Sequence, residues 1–273
     1  MLKERFDQLR TKGALVHNIT NYVTVNDVAN VLLACGSSPI MADDIDDAPE
    51  ITAICGGLNI NIGTLNRNTI PSMFAAGKRA NELGHKVLLD PVGAGASAIR
   101  TQTAYKLMDE IHFDAIRGNI SEIKTLATGE GTTKGVDADV ADAVTEETLD
   151  QAIQFAKAFA AKTGSIIAIT GAIDLVADAE TCYVIRNGKA EMGKVTGTGC
   201  QLSALMCAFL IANPDEPLEA AAAAVCAMGL AGEIAAGRME EGDGNATYRN
   251  RIIDAVCNMD GEQLEKGEKY EII

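Results

Sequence analysis

The residues best suited to chemistry lie in Val195-Thr196-Gly197-Thr198-Gly199-Cys200, which runs straight into the apolar stretch 201–206. Two glycines free the backbone where a long apolar helix is predicted to begin, and the first N–H groups of a helix have no partner inside it. With the helix dipole they form an anion hole suited to a γ-phosphate and its transition state. Cys200 stands at that positive end, where a thiol pKa is expected to be lowered. The alternative is a glycine-rich helix start with a buried, inert cysteine.

Three other stretches end an apolar run in a polar group. Leu89-Asp90-Pro91-Val92-Gly93-Ala94-Gly95 takes a strand into an acid and then turns through Pro and two Gly. Asp90 could hold a magnesium ion or a phosphate-bridging water there, or accept the N–H groups of the turn. Ile116-Arg117-Gly118-Asn119-Ile120-Ser121-Glu122 ends a strand and opens a helix. Asn119 and Glu122 have the spacing of a capping box; the functional alternative has Glu122 facing hydrated magnesium and Arg117 reaching a phosphate. Ile169-Thr170-Gly171 offers a hydroxyl followed by a residue that lets a phosphate approach, in a turn that is also common without any ligand. No stretch decides the matter alone. Together they favour phosphoryl transfer, without the G-x-x-x-x-G-K-[ST] loop and without the H-R-D and D-F-G set of protein kinases.

Such groups must be presented by strand ends and helix starts. Short strands are predicted at 58–62, 86–89, 114–116 and 165–169, with helices between them. A helix over 69–83 has Pro near its start and Gly84 after its end. Another over 146–163 has Thr145 as N-cap and Leu149, Ile153, Ala156 and Ala160 along one face. Asp174–Ala177 and Thr181–Ile185 read as an antiparallel hairpin at the sheet edge. From 199 to 258 the pattern is helical, broken at 213–217, with Asn245 capping the last helix. The fold class is therefore α/β: a mainly parallel sheet with helices on both faces and a small antiparallel hairpin at its edge, in one domain over 1–273. Ligands of such sheets sit beyond the carboxyl ends of the strands.

Composition narrows the partners. Asp and Glu number 38 against 23 Lys and Arg, for a net charge of -15, which argues against nucleic acid or an anionic membrane. Apolar residues make up 47% of the 273, enough for a core, with aromatics at only 4%. Seven cysteines include no C-x-x-C, and the three histidines are not spaced for zinc. The charged start lacks a signal-peptide apolar region, and the stretches 202–212 and 220–232 are too short and Ala-rich to span a bilayer. A reduced, soluble cytoplasmic protein is expected. The acid-rich segment Asp43–Glu50 reads as a solvated loop and helix start, with a cation site as the alternative.

The four stretches resemble the ribokinase-like superfamily, and within it the hydroxyethylthiazole kinase family. The resemblance covers most of the chain and includes His17-Asn18-Ile19-Thr20-Asn21, Gly36-Ser37-Ser38-Pro39-Ile40-Met41-Ala42, Asn61-Ile62-Gly63-Thr64-Leu65 and the segments around Asp90, Asn119 and Cys200. Cys200 is the distinguishing sign, since most of the superfamily has Asp there. The resemblance implies ATP- and magnesium-dependent phosphorylation of the hydroxyl of 4-methyl-5-(2-hydroxyethyl)thiazole, in thiamine salvage, by a homotrimer with active sites at subunit interfaces. It assigns Cys200 to catalysis, Arg117, Thr170, Asn119 and Gly199 to ATP, Asp90 and Glu122 to magnesium, and Asn21, Val23, Met41 and Gly197 to the thiazole. A flexible thioether such as that of Met41 packs well on a flat heteroaromatic ring. The acidic residues just after Met41 depart from the family pattern, at the pocket rim or the subunit interface. Other readings are a hydroxymethylpyrimidine kinase-like enzyme, against which Cys200 in place of Asp speaks, and more distantly an ATP-dependent dehydratase for damaged nicotinamide cofactors. A third is a thiazole or nucleotide binding protein without turnover, because a thiol of pKa ~8.5 is a poor base at neutral pH.

Overall fold

Strands form where short apolar runs meet turn residues, and parallel neighbours are joined through helices. The computed structural model describes residues 1–128 and 143–273. Its strands are β1 (Leu15–Ile19), β2 (Ser38–Met41), β3 (Gly57–Asn61), β4 (Lys86–Asp90), β5 (Ala115–Gly118), β6 (Ile166–Ile169), β7 (Asp174–Ala177), β8 (Cys182–Ile185) and β9 (Tyr270–Ile272). They make one sheet in the order β2-β1-β3-β4-β5-β6-β7-β8-β9. Pairing is parallel from β2 to β6 and antiparallel from β6 to β9. The helices are α1 (Leu2–Lys12), α2 (Val25–Ala34), α3 (Ala48–Ile54), α4 (Thr69–Leu83), α5 (Ala98–Glu110), α6 (Ile120–Thr128), α7 (Leu149–Thr163), α8 (Thr198–Ala212), α9 (Pro217–Gly237), α10 (Asn245–Asn258) and α11 (Gly261–Gly267).

Each face of the sheet has its own core. On one, α1, α2, α8, α9 and α10 pack against Val16, Leu88, Ala115, Ala168 and Val176. On the other, α4 to α7 cover Leu58, Ile60, Val87, Leu89, Ile116 and Ile167. The assignments alternate because successive side chains of a strand point to opposite faces. Helix α8 is buried without a break from Cys200 to Leu210, as expected of a helix apolar on every side. Helix α9 extends well beyond the apolar run read from sequence. At 21 residues it has the length and composition to cross a bilayer, yet 78% of its most apolar window is buried within this fold.

The expected elements recur with corrections at their ends. Gly84 closes α4 in the left-handed conformation, with φ +68° and its N–H on Ala80 O and Asn81 O. The α7 helix begins at Leu149, not 146. Thr145 does not cap it, because Thr145 belongs to a preceding turn in which its N–H donates to Thr148 Oγ1 (3.0 Å) and its carbonyl accepts from Thr148 N–H (3.1 Å). Asn245 is the first residue of α10 and makes no side-chain cap. Nor is α10 the last helix: α11 follows, capped by Asp260, whose carboxylate accepts from Gln263 N–H at 2.8 Å. The hairpin is present as β7 and β8, and β9 extends it by a further strand. Asp43–Asp47 are exposed and lead into α3, the solvated reading of the acidic stretch.

Candidate active site

Strand parity explains why distant stretches converge. Asp90 shares its face with Leu88, Arg117 with Ala115, Thr170 with Ala168, and Asn61 with Gly57, where a Cβ would run into Ile211 of α8. Four neighbouring strands thus present polar groups at their carboxyl ends, on the face covered by α8.

Asp90 lies at the centre, fully buried. Its Oδ2 accepts from Asn61 Nδ2 and Ser203 Oγ, each at 2.8 Å, and lies 3.7 Å from Arg117 Nη1. Its Oδ1 has no partner. Burial pushes its pKa up to about 6; Glu122 adds to the rise, while Arg117, Ser203 and Asn61 oppose it. Arg117 also donates to Thr170 Oγ1 at 2.5 Å. Its guanidinium lies against Gly199, where any Cβ would collide with it, so the second glycine of the G-x-G lets the cation reach the start of α8.

Asn119 and Glu122 do form the capping box. Glu122 N–H donates to Asn119 Oδ1 (2.8 Å) and Asn119 N–H to Glu122 Oε2 (2.9 Å). The remaining oxygen, Oε1, accepts from Gly93 N–H at 2.8 Å, which ties the turn after Asp90 to the start of α6. Capping does not exhaust this carboxylate: its charge reaches Asp90.

Helix α8 starts from Gly197, at φ +89°, packed so closely on Thr24 that a Cβ would not fit. The first helical hydrogen bond is Gln201 N–H to Gly197 O (2.9 Å), so the N–H groups of Thr198, Gly199 and Cys200 precede the ladder. Cys200 Sγ accepts from Asn21 Nδ2 (3.2 Å) and Asn61 Nδ2 (3.3 Å). Asn61 Oδ1 accepts from Asn21 Nδ2 (3.0 Å) and Gly63 N–H (2.9 Å), and Asn21 Oδ1 from the N–H and hydroxyl of Thr24, both at 3.1 Å. The thiol pKa is raised, not lowered. Burial and then the Asp90 charge outweigh the hydrogen bonding to Thr24, Asn21 and Asn61. The expectation drawn from the helix end alone is corrected accordingly.

A cleft of about 670 Å³ opens on this face, lined by Arg117, Asn119, Thr170, Thr198, Gly199 and Met192 among others. All four residues expected at the nucleotide, Arg117, Thr170, Asn119 and Gly199, therefore share one cavity. Of those expected at the acceptor, Asn21 and Gly197 meet at Thr24, next to Cys200. Met41 ends β2, the strand on which α2 packs, and is half-buried against the core of that face. Val23 is 61% exposed and is not among the residues lining the cleft.

Sequence reasoning gave no role to several groups. Asn61 had a signal in its place one strand before Asp90, and Ser203 in being one turn after Cys200. Asp174 lines the cleft, accepts from Gly171 N–H (2.8 Å) and has its pKa pushed up to about 7 by burial, against the pull of that N–H and of Arg117. The cleft wall at Asn187 and Gly188 is held by Glu233 of α9, which accepts from both at 3.1 and 2.9 Å, a contact between residues too far apart in the chain to leave a local signal.

A mainly parallel sheet wrapped by helices on both faces, with a helix N-terminus aimed at a cluster of strand-end polar groups, is the arrangement of the ribokinase-like proteins. A ribokinase-like superfamily protein from Enterococcus faecalis superposes with a TM-score of 0.62 at 13% identity, covering 93% of this chain and 88% of its own, which speaks for the fold alone. The model of the hydroxyethylthiazole kinase family matches residues 6–262, and the chain belongs to that family. It is 62% identical over 271 residues to the hydroxyethylthiazole kinase of Clostridium acetobutylicum, covering 99% of each chain. The structure of a hydroxyethylthiazole kinase from Pyrococcus horikoshii matches with a TM-score of 0.88 at 32% identity, covering 100% of this chain and 98% of its own. The activity is accordingly that of a kinase.

Proposed function

We propose that this chain transfers the γ-phosphoryl group of ATP to the primary hydroxyl of 4-methyl-5-(2-hydroxyethyl)thiazole, a step of thiamine salvage. The observation that carries the reading is Cys200 in the first turn of α8, with Asp90 bonded to the same Asn61 amide and Arg117 against Gly199. The acceptor oxygen attacks the γ-phosphorus, the bond to the bridging oxygen breaks, ADP leaves, and the hydroxyl proton is released. Transition states of this kind are loose, so positioning and charge neutralisation supply most of the rate. The unpaired N–H groups of Thr198, Gly199 and Cys200 and the guanidinium of Arg117 supply that neutralisation. The Cys200 thiol, raised in pKa, is mostly protonated at neutral pH and acts as a weak proton acceptor that also shapes the pocket.

The residues fit a magnesium ion. Magnesium usually takes one or two carboxylates and completes its shell with waters and substrate phosphates. Asp90 offers a buried oxygen without a partner, and Glu122 lies near enough for its charge to be felt at Asp90. No group of three or more His, Cys, Asp or Glu that could cage a metal exists among the described residues. Asp90 and Glu122 would hold the ion, whose chemistry is to neutralise phosphate charge.

The proposal extends to a homotrimer with sites between subunits, in the reducing cytoplasm. Tyr22 (77% exposed) and Val23 follow directly on buried Asn21, β2 has a strand neighbour on one side only among the described residues, and all seven cysteines are free thiols. Light scattering that finds a monomer at micromolar concentration would count against the shared site. The activity is tested by following ADP release with ATP and magnesium in three parallel reactions: the thiazole alcohol, hydroxymethylpyrimidine, and no acceptor. Release with the thiazole alcohol alone is expected. Faster release with the pyrimidine, or none beyond the acceptor-free rate, would refute the reading.

A further inference from the structure

Met41 ends β2, an edge strand whose ladder runs to β1 alone among the described residues. Immediately after it the chain enters the exposed acidic run Asp43–Asp47. Met41 packs against the core, but the chain just after it has a single ladder behind it and a solvated, self-repelling loop ahead. The fold adds a second anchor. His17, on β1 and fully buried, has Nε2 at 2.7 Å from the carbonyl oxygen of Ala42 and Nδ1 at 2.9 Å from Thr52 Oγ1 of α3.

These contacts fix the state of the ring. A carbonyl only accepts, so Nε2 carries the proton. Burial, the largest influence, lowers the imidazole pKa, opposed by the Ala42 carbonyl and the charge of Asp47, so the ring is neutral. Nδ1 is then an acceptor, and the Thr52 hydroxyl donates to it in preference to Ala48 O, 2.8 Å away. Thr52 thereby selects the tautomer that grips Ala42.

We propose that His17 is a positioning residue for the acceptor pocket: by donating from Nε2 to the Ala42 carbonyl it pins the chain beside Met41 and so sets affinity for the acceptor alcohol and not for the nucleotide. This rests on the reading of Met41 as a wall of the thiazole site. His17 lies on the face of β1 opposite Asn18 and does not touch the groups around Cys200, so its effect passes through the backbone of Ala42.

Three variants and one spectrum test it. His17→Asn keeps an amide near the Nδ1 position but cannot reach Ala42; His17→Gln puts an amide N–H where Nε2–H stood. Loss of one hydrogen bond of this kind corresponds to a change of up to about tenfold. KM for the thiazole alcohol is therefore expected to rise several-fold, up to about tenfold, in His17→Asn, with KM for ATP within about twofold of the parent, and to return most of the way in His17→Gln. A parallel rise in both KM values, or a Gln variant no better than Asn, overturns the proposal. Met41→Ala separates the two layers of reasoning. If it raises the acceptor KM and His17→Asn does not, His17 is not a positioning residue; if Met41→Ala also changes nothing, the acceptor reading of Met41 falls together with the proposal. Nitrogen-15 NMR of the imidazole in the parent protein stands even if His17→Asn fails to fold. An Nε2–H tautomer is required, and an Nδ1–H tautomer refutes the mechanism.

Discussion

Replacing Cys200 by Asp asks whether this position accepts a proton. The side chain would meet two ready donors, since Asn21 Nδ2 and Asn61 Nδ2 already lie 3.2 and 3.3 Å from Sγ. Hydrogen bonds to a charged group contribute about 1.5–3 kcal/mol each. Against them stands Asp90. The Asn61 nitrogen that bonds the thiol also lies 2.8 Å from Asp90 Oδ2, so the two acids would be no more than about 6 Å apart. At that distance, with an effective dielectric constant near 20, two like charges repel by ~2.8 kcal/mol, equivalent to about two pKa units. Burial already pushes the Asp90 pKa up to about 6 in the metal-free parent. Where no metal neutralises Asp90, the new pair should therefore share one proton at neutral pH and release it only in mildly alkaline solution, behaving as a coupled dyad; magnesium on Asp90 would move that release to lower pH. A base works when deprotonated, so kcat of Cys200→Asp should climb between about pH 6.5 and 9. At the upper end it should exceed kcat of Cys200→Ala by on the order of a hundredfold, and at the lower end by little. The assay is steady-state ADP release across that range with saturating ATP, magnesium and acceptor. If the Asp variant is folded, binds both ligands and follows the Ala variant at every pH, proton acceptance is not the role of this position, and Cys200 belongs to acceptor packing alone.

Arg117→Ala removes a charged hydrogen bond to phosphate and leaves Asp90 buried without its cation; kcat/KM for ATP should fall by about tenfold or more, with acceptor binding by calorimetry little changed. Glu122→Gln keeps a capping side chain but loses a charge beside Asp90, so half-maximal activity should need more magnesium while the melting temperature barely moves; an unchanged magnesium titration would reduce Glu122 to a helix cap. Gly199→Ala should impair ATP use through collision with Arg117, and an unimpaired variant would show that the guanidinium does not need that place. Burial pushes the Asp174 pKa up to about 7 from an ordinary value of 3.8, so the unfolded chain loses this proton first and stability falls as pH rises from about 4 to 7. Asp174→Asn should accordingly melt higher than the parent at pH 8 and alike at pH 4; an equal difference at both would place the effect elsewhere.

The strand ends were legible because each carries a polar residue directly after an apolar run: Asp90 after Leu88-Leu89, Arg117 after Ala115-Ile116, Thr170 after Ile166–Ile169. The first two strands were not. β1 has His17 and Asn18 in its middle, polar side chains that only buried partners justify, and β2 contains Pro39, tolerated because the strand is at an edge. β9 is three residues long and depends on β8 for its conformation. Within the site, Gly197 and Gly199 were visible as a pair, but their separate tasks, one against Thr24 and one against Arg117, follow from packing between distant elements. The thiol pKa was misjudged because a helix terminus can be read from sequence while burial beside a second acid cannot.

The amides around Cys200 have a direction. Gly63 N–H can only donate, so it forces the oxygen of Asn61 towards itself; that leaves the Asn61 nitrogen turned to Asp90 and the sulfur. Thr24 N–H imposes the same sense on Asn21. Neither amide can flip without setting like poles against each other, so the polarity is written into the backbone and survives whatever enters or leaves the pocket. The sulfur consequently faces N–H groups on its inner side, and its own hydrogen has no acceptor among them. The acceptor beside the sulfur is the Thr24 hydroxyl, whose own hydrogen goes to Asn21 Oδ1, so the resting thiol points its hydrogen at Thr24. A catalytic cycle that ends by returning a proton to Cys200 would restore that orientation without any side chain turning over.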